Sequence, residues 1–228
     1  LQARGLDGEL PPFQSLQEMA ALYVQAVRTV QPHGPYRLGG WSLGAVVAYE
    51  MARLLKQQGE PVEVLALIEP SPTSYARGTP FEGDVHLLSF AADLARTAGL
   101  PLVVPDTPLD TPEALLTEVQ RAGLLSAGTG LEQLRALLEV FTANSRALHQ
   151  HSLRAGSGPL TVILGDDSAG DEPSVGRDRG WAALAAHAVD VLTLPGDHYS
   201  LLQPPHVEAL ARALTSLLEQ PLRRSMTG

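Results

Sequence analysis

From Ser15 onward the apolar residues Leu16, Met19, Tyr23, Val27 and Val30 fall three or four apart, the spacing of one helix face, and the pattern stops at Pro32-His33-Gly34-Pro35. Tyr36 to Trp41 is a short extended run. It leads into Leu43 to Gln57, where Val46, Val47, Met51, Leu54 and Leu55 predict a second helix, stopped by Gly59. Pro61 to Ile68 reads PVEVLALI, an apolar run of the kind a strand buried on both faces carries. Strand, tight glycine turn, helix and strand in this order form a βαβ unit, which implies a parallel sheet with a right-handed crossover.

Two further strand candidates follow much later, Leu160 to Leu164 and Val189 to Leu194. The second runs into Pro195-Gly196-Asp197-His198 and a final helix from about Pro205 to Glu219. Between them, residues about 80–156 carry helical patterns instead, over Asp84 to Thr97, Pro112 to Ala122 and Leu131 to His149. A helical insertion between sheet strands is the usual form of a lid. We therefore expect one α/β domain with a core of about residues 1–79 and 157–228 and a helical lid of about residues 80–156. Leu87, Leu88, Phe90, Leu94, Leu134, Leu137, Leu138 and Phe141 exceed what one docked helix face requires. Either they line an apolar channel or they pack lid helix on lid helix; Phe90, Leu94, Leu138 and Phe141, with Trp41, are the candidate substrate contacts.

Composition narrows the function. A chain of 228 residues with 44% hydrophobic and 18% charged residues can bury one full core, and no run approaches the ~18 apolar residues that span a bilayer. It reads as a soluble, cytoplasmic protein with no membrane partner. The net charge of −9 and pI near 5.2 work against nucleic acid, which needs a basic face. Without cysteine there is no disulfide framework, thiolate metal site or cysteine nucleophile. The opening LQARGLDGELPP has no initiator Met and no signal-peptide pattern, as expected of a piece cut from a longer chain.

Gly40-Trp41-Ser42-Leu43-Gly44 fits G-x-S-x-G, and it lies between a predicted strand and a predicted helix, where that motif has mechanical meaning. The turn is so sharp that side chains at the two glycine positions are expected to collide with the neighbouring strand or helix. Ser42 is thrust outward at a helix N-terminus, where the Leu43 N–H can serve an oxyanion. A serine hydroxyl needs a general base within reach, and His198 fits best, because its loop follows the last strand on the edge where the elbow opens. His33, His86, His149, His151, His187 and His206 fit surface or packing roles, and their spacing is not that of metal ligands. The third group should be a carboxylate that orients the imidazole. Glu69 ends the strand after the elbow helix; Asp166 and Asp167 end the strand before the His198 strand; either gives the order serine, acid, histidine. Asp197 and Glu50 are expected to be solvated or capping groups.

These residues resemble the C-terminal, type I thioesterase domains of nonribosomal peptide synthetases and polyketide synthases. The similarity runs through LQARGLDGE, PYRLGGWSLGAVVAYEMA, VEVLALIEP and PGDHYSLLQPPHVEALA. It implies an α/β-hydrolase fold with a mobile lid, Ser42 as nucleophile and His198 as base. No cofactor of its own is implied; the acyl chain arrives on the phosphopantetheine arm of a carrier-protein domain upstream in the same polypeptide. Release then follows attack by water or by an internal hydroxyl or amine. The family usually has Asp where this chain has Glu69, and the N-terminal strands with their His-Pro-x-Gly-Gly type loop are not in this sequence. The rival readings are a stand-alone editing thioesterase or small-ester hydrolase, and a silent module kept for carrier binding.

Overall fold

The computed structural model describes residues 1–70, 84–100, 109–156, 158–167, 178–185 and 189–219. Its elements run α1 (Leu16–Val30), β1 (Tyr36–Trp41), α2 (Leu43–Gln57), β2 (Val62–Ile68), α3 (Asp84–Thr97), α4 (Pro112–Arg121), α5 (Leu131–Gln150), β3 (Leu160–Gly165), β4 (Val189–Leu194) and α6 (Val207–Glu219). The chain divides into two compact units, Leu1–Leu16 with Ala76–His151, and Gln17–Tyr75 with Ser152–Gly228.

The second unit holds the sheet. Its strands lie in the order β1-β2-β3-β4 and every pairing is parallel. Parallel strands need a covered crossover, and α2 supplies the first, with Ala45 to Ala52 buried without interruption. All six residues of β3 are buried, as the central position requires. Leu210 of α6 joins Ala66, Ile68, Ile163 and Leu201 in one apolar cluster against the sheet; each of its leucine and isoleucine side chains taken from water stabilises the fold by roughly 1.5–3 kcal/mol. The Tyr49 hydroxyl lies 2.9 Å from the carbonyl oxygens of both Arg154 and Leu184, and its ring meets Trp181 edge-on, so α2 holds the segments flanking β3 and β4.

Glu50 departs from expectation. It is neither solvated nor capping: it is 1% exposed and paired with Arg53 at 3.0 Å. A helix buried this thoroughly carries its neighbour inside with it, and a buried carboxylate then needs a counter-charge, here one turn away.

In the first unit α3, α4 and α5 surround a core of Phe90, Leu115, Val119, Leu134 and Leu138. Thr111 caps α4 by accepting from the Ala114 N–H at 3.2 Å, with Pro112 at the first helical position. Phe90 meets Phe141 edge-to-face at 5.4 Å, and Leu94 packs on the same cluster. Of the four candidate substrate contacts of this unit, Phe90 and Leu138 are buried in the cluster, and Leu94 and Phe141, partly buried, pack against it. No helix among the described residues is long and apolar enough to cross a membrane.

Candidate active site

The parallel register brings the chemistry to one edge. Trp41 pairs with Ile68, so Ser42 and Glu69 are the residues that emerge next to each other at the C-terminal ends of β1 and β2. The Ser42 N–H donates to the Ile68 carbonyl at 2.9 Å, and the Glu69 N–H to the Ile163 carbonyl at 2.8 Å. Gly165 pairs with Leu194, which delivers the loop bearing His198 to the same edge. Ligands in open α/β sheets bind beyond the carboxyl ends of strands for this reason.

Ser42 is the N-cap of α2 with φ 55°, ψ −122°, in the left-handed half of backbone space. Leu43 is the first residue of α2, and N–H groups of a first helical turn have no partner within the helix. A Cβ at Gly40 would fall inside the carbonyl of Gly44, so that glycine is required for the tight approach of strand and helix. Gly44 differs from expectation: a Cβ there would meet nothing within 4 Å. The close approach is between the Gly40 Cα and the Gly44 backbone, so only one of the two glycines is sterically demanded.

Glu69 is fully buried. Its Oε1 accepts from the Gly165 N–H at 2.5 Å, and its Oε2 accepts from Arg179 Nη1 at 2.8 Å and lies 3.5 Å from His198 Nδ1. Burial alone pushes the Glu69 carboxyl up. Hydrogen bonds from His198 and the Gly165 N–H, with the charge and hydrogen bond of Arg179, outweigh it and hold the carboxyl below its ordinary value. Asp166 turns elsewhere, its Oδ1 accepting from the Gly196 N–H at 2.9 Å, and Asp167 is exposed, its own N–H donating to the Gly196 carbonyl. Of these competing acids, the one brought to the imidazole is Glu69.

Gly165 carries a second close approach. A Cβ there would collide with the Gly196 carbonyl, so β3 and the histidine loop touch through backbone alone. Asp197 caps the 3₁₀ turn Ser200–Leu202, as expected: its Oδ1 accepts from Ser200 N at 2.7 Å and Tyr199 N at 2.9 Å. The Ser200 N–H above all holds the Asp197 carboxyl below its usual range. Trp41 joins the two halves. Its indole N–H donates to the His198 carbonyl at 2.8 Å, and its ring lies 5.0 Å from the imidazole and 5.9 Å from Tyr199. The residue before the elbow serine thus grips the histidine loop, a role not read from its sequence position.

Of the other histidines, His33 is exposed and faces Glu60 at 3.1 Å, His149 contacts the Ser145 carbonyl one turn back, His151 is buried, and His206 starts the turn into α6. His187 and the side chain of His86 lie outside the described residues. No group of three or more His, Cys, Asp and Glu among the described residues could hold a metal ion.

Arg179 was not anticipated. It sits in a short turn before the 3₁₀ segment Trp181–Ala183, far from Glu69 in sequence, and no periodicity marks it. The one available signal is chemical, since a carboxylate buried at a strand end requires a positive partner. Ser42, Glu69 and Arg179 are also the non-glycine residues with positive φ among those described, at 55°, 46° and 50°. Each such residue costs about 1–3 kcal/mol, and strain concentrated at one place points to function there.

A family model described as "Thioesterase domain" matches residues 1–218. Indigoidine synthase of Dickeya dadantii is 30% identical over 94% of this chain, and microperfuranone synthase of Emericella nidulans 28% over 96%. The chain spans only 15% and 25% of those two proteins. Among solved structures, holo-AB3403, a four-domain nonribosomal peptide synthetase bound to AMP and glycine, superposes with TM-score 0.87 and 27% identity, over 97% of this chain and 17% of that one. The NocB thioesterase domain, in covalent complex with a fluorophosphonate nocardicin G analogue, gives TM-score 0.67 and 28% identity over 96% of this chain and 82% of that one.

Proposed function

The chain belongs to the thioesterase-domain family, of the type found in nonribosomal peptide and polyketide synthases, and from that premise we propose that it moves an acyl, peptidyl or polyketide chain from a carrier-protein thioester onto Ser42 and then releases it. The carrying observation is the buried Glu69 carboxylate on the Nδ1 side of His198, at the sheet edge where the Ser42 elbow opens. In this reading the Ser42 Oγ attacks the thioester carbon while its proton passes to His198 Nε2. Glu69 Oε2 fixes the tautomer with the proton on Nδ1 and stabilises the imidazolium. The Leu43 N–H receives the developing oxyanion. Collapse expels the phosphopantetheine thiol, which takes the proton from His198. Water or an internal hydroxyl or amine then attacks the acyl-serine, with His198 again the base, giving an acid, macrolactone or macrolactam.

The helical unit, inserted in sequence between β2 and β3, is assigned the lid. The carrier domain is assigned as partner because relatives such as indigoidine synthase are several times longer than the matched region, and a matching structure is a four-domain synthetase. The test compares two acyl donors. A chain loaded on a phosphopantetheinylated carrier protein should be released faster than a short p-nitrophenyl ester is cleaved. Rapid cleavage of the ester with the carrier-bound thioester untouched would make this a small-ester hydrolase instead.

A further inference from the structure

Resting on the reading above, in which His198 is the base and Glu69 its carboxylate, we propose that Arg179 is a positioning residue of the reaction, clamping the carboxylate oxygen that faces the imidazole. Arg179 Nη1 donates to Glu69 Oε2 at 2.8 Å and to the Pro70 carbonyl at 3.1 Å, so one nitrogen ties the carboxylate to the backbone immediately after it. The same Oε2 lies 3.5 Å from His198 Nδ1. The other oxygen is held by the Gly165 N–H. A glutamate has one more rotatable bond than an aspartate, and Arg179 removes that freedom at the far end of the side chain. The clamp is itself fixed: the guanidinium-bearing side chain is 18% exposed and its backbone is held at φ 50°.

The clamp also carries charge. Around the Glu69–His198 pair stand Arg179, the Gly165 N–H at the end of β3, Asp166 and Asp167 just after it, and Asp197 in the loop after β4. Asp166 is turned to the Gly196 N–H and Asp197 to the Tyr199 and Ser200 N–H groups. A fixed cation on the shared oxygen opposes protonation of the carboxyl. That agrees with Glu69 lying below its ordinary value despite burial. Loss of the cation should make the carboxyl easier to protonate, and a protonated Glu69 no longer orients the imidazole, so the acid limb of activity moves to higher pH.

The experiment reads the rate of Ser42 labelling by a fluorophosphonate across pH, which needs no knowledge of the natural acyl chain. Wild type, Arg179→Met and Arg179→Lys are compared, with thermal melting of each. Arg179→Met is expected to label about tenfold to a hundredfold more slowly at neutral pH, as for a reacting group displaced by a fraction of an ångström to an ångström. The loss should fall on the maximal labelling rate and not on probe binding, and the acid limb should rise by about one pH unit. Arg179→Lys keeps the charge without the planar fork, so its limb should return close to wild type. A folded Arg179→Met protein whose acid limb superimposes on, or lies below, that of wild type overturns the proposal, whatever its melting temperature. If Arg179→Met does not fold, Arg179→Gln, which keeps hydrogen-bonding capacity without charge, is read by the same criterion. Failure of wild-type Ser42 to label would overturn the reading of the site itself, an outcome distinct from an unmoved limb.

Discussion

Substituting Glu69 by Asp keeps the charge but withdraws the carboxylate by about 1.5 Å, the length of one carbon–carbon bond. The contact to the Gly165 N–H, now 2.5 Å, opens to about 4 Å, beyond any hydrogen bond. Because Glu69 is 0% exposed, no water replaces it. A buried hydrogen bond to a charged group contributes about 1.5–3 kcal/mol, and the vacated methylene adds about 0.8 kcal/mol. The 2.8 Å contact from Arg179 is left out of the sum, which is therefore a lower bound. The sum is about 3 kcal/mol, equivalent to a melting temperature lower by about 10 °C for a chain of this size. The contact to His198 Nδ1 starts at 3.5 Å, and stretching it further leaves the imidazole without its orienting anion. Turnover should fall by about a hundredfold. The assay pairs thermal melting with single-turnover deacylation of an acyl-N-acetylcysteamine thioester, with Asp167→Asn as an unimpaired control. If Glu69→Asp melts and turns over like wild type, the length of Glu69 is not set by these contacts and the reasoning fails.

The two glycines of the elbow should behave oppositely: Gly40→Ala destabilises by several kcal/mol or blocks folding, because its Cβ overlaps the Gly44 carbonyl, whereas Gly44→Ala is neutral or stabilising by up to about 1 kcal/mol on denaturant unfolding. Trp41→Phe keeps a ring beside His198 but loses the 2.8 Å bond to its carbonyl, and should cost about 1 kcal/mol in stability with a larger proportional loss in acylation rate, seen by stopped-flow. Acid unfolding carries a third expectation. A carboxyl held below its ordinary value in the folded state contributes stability that is complete above the unfolded value of about 4.3 and is lost as pH falls through the lower folded one. Glu69→Gln should therefore flatten that part of the stability profile.

Much of the sheet unit was legible because its signals are local. Tyr36–Trp41, Leu43–Gln57 and Val189–Leu194 fall where periodicity and glycine punctuation put them. Ser42 and His198 were legible because each stands at a strand end beside a recognisable turn. Glu69 remained in competition with Asp167, since strand ends alone do not say which side chain turns toward the imidazole; the register and the Gly165 N–H decide that. Arg179 was invisible for a different reason. Its partner is distant in the chain, and it lies in a turn with no periodic pattern, so only the demand of a buried anion could have prompted a search. The donor bond of Trp41 and the buried pair Glu50–Arg53 were missed similarly, because burial of a polar group depends on what packs over it and not on its own neighbours in sequence. In the helical unit, counting apolar residues could not separate a channel lining from a core; Phe90 and Leu138 are buried among α3, α4 and α5, while Leu94 and Phe141 are partly buried against them.

The central claim is that the elbow serine carries the acyl chain, and peptide mapping of the protein quenched shortly after addition of an acyl-N-acetylcysteamine thioester tests it most directly. The expected acyl mass lies on the peptide containing Ser42, is absent from Ser42→Ala, and accumulates in Glu69→Gln more slowly than in wild type. An adduct that maps to another residue, or product released by Ser42→Ala at the wild-type rate, would contradict it.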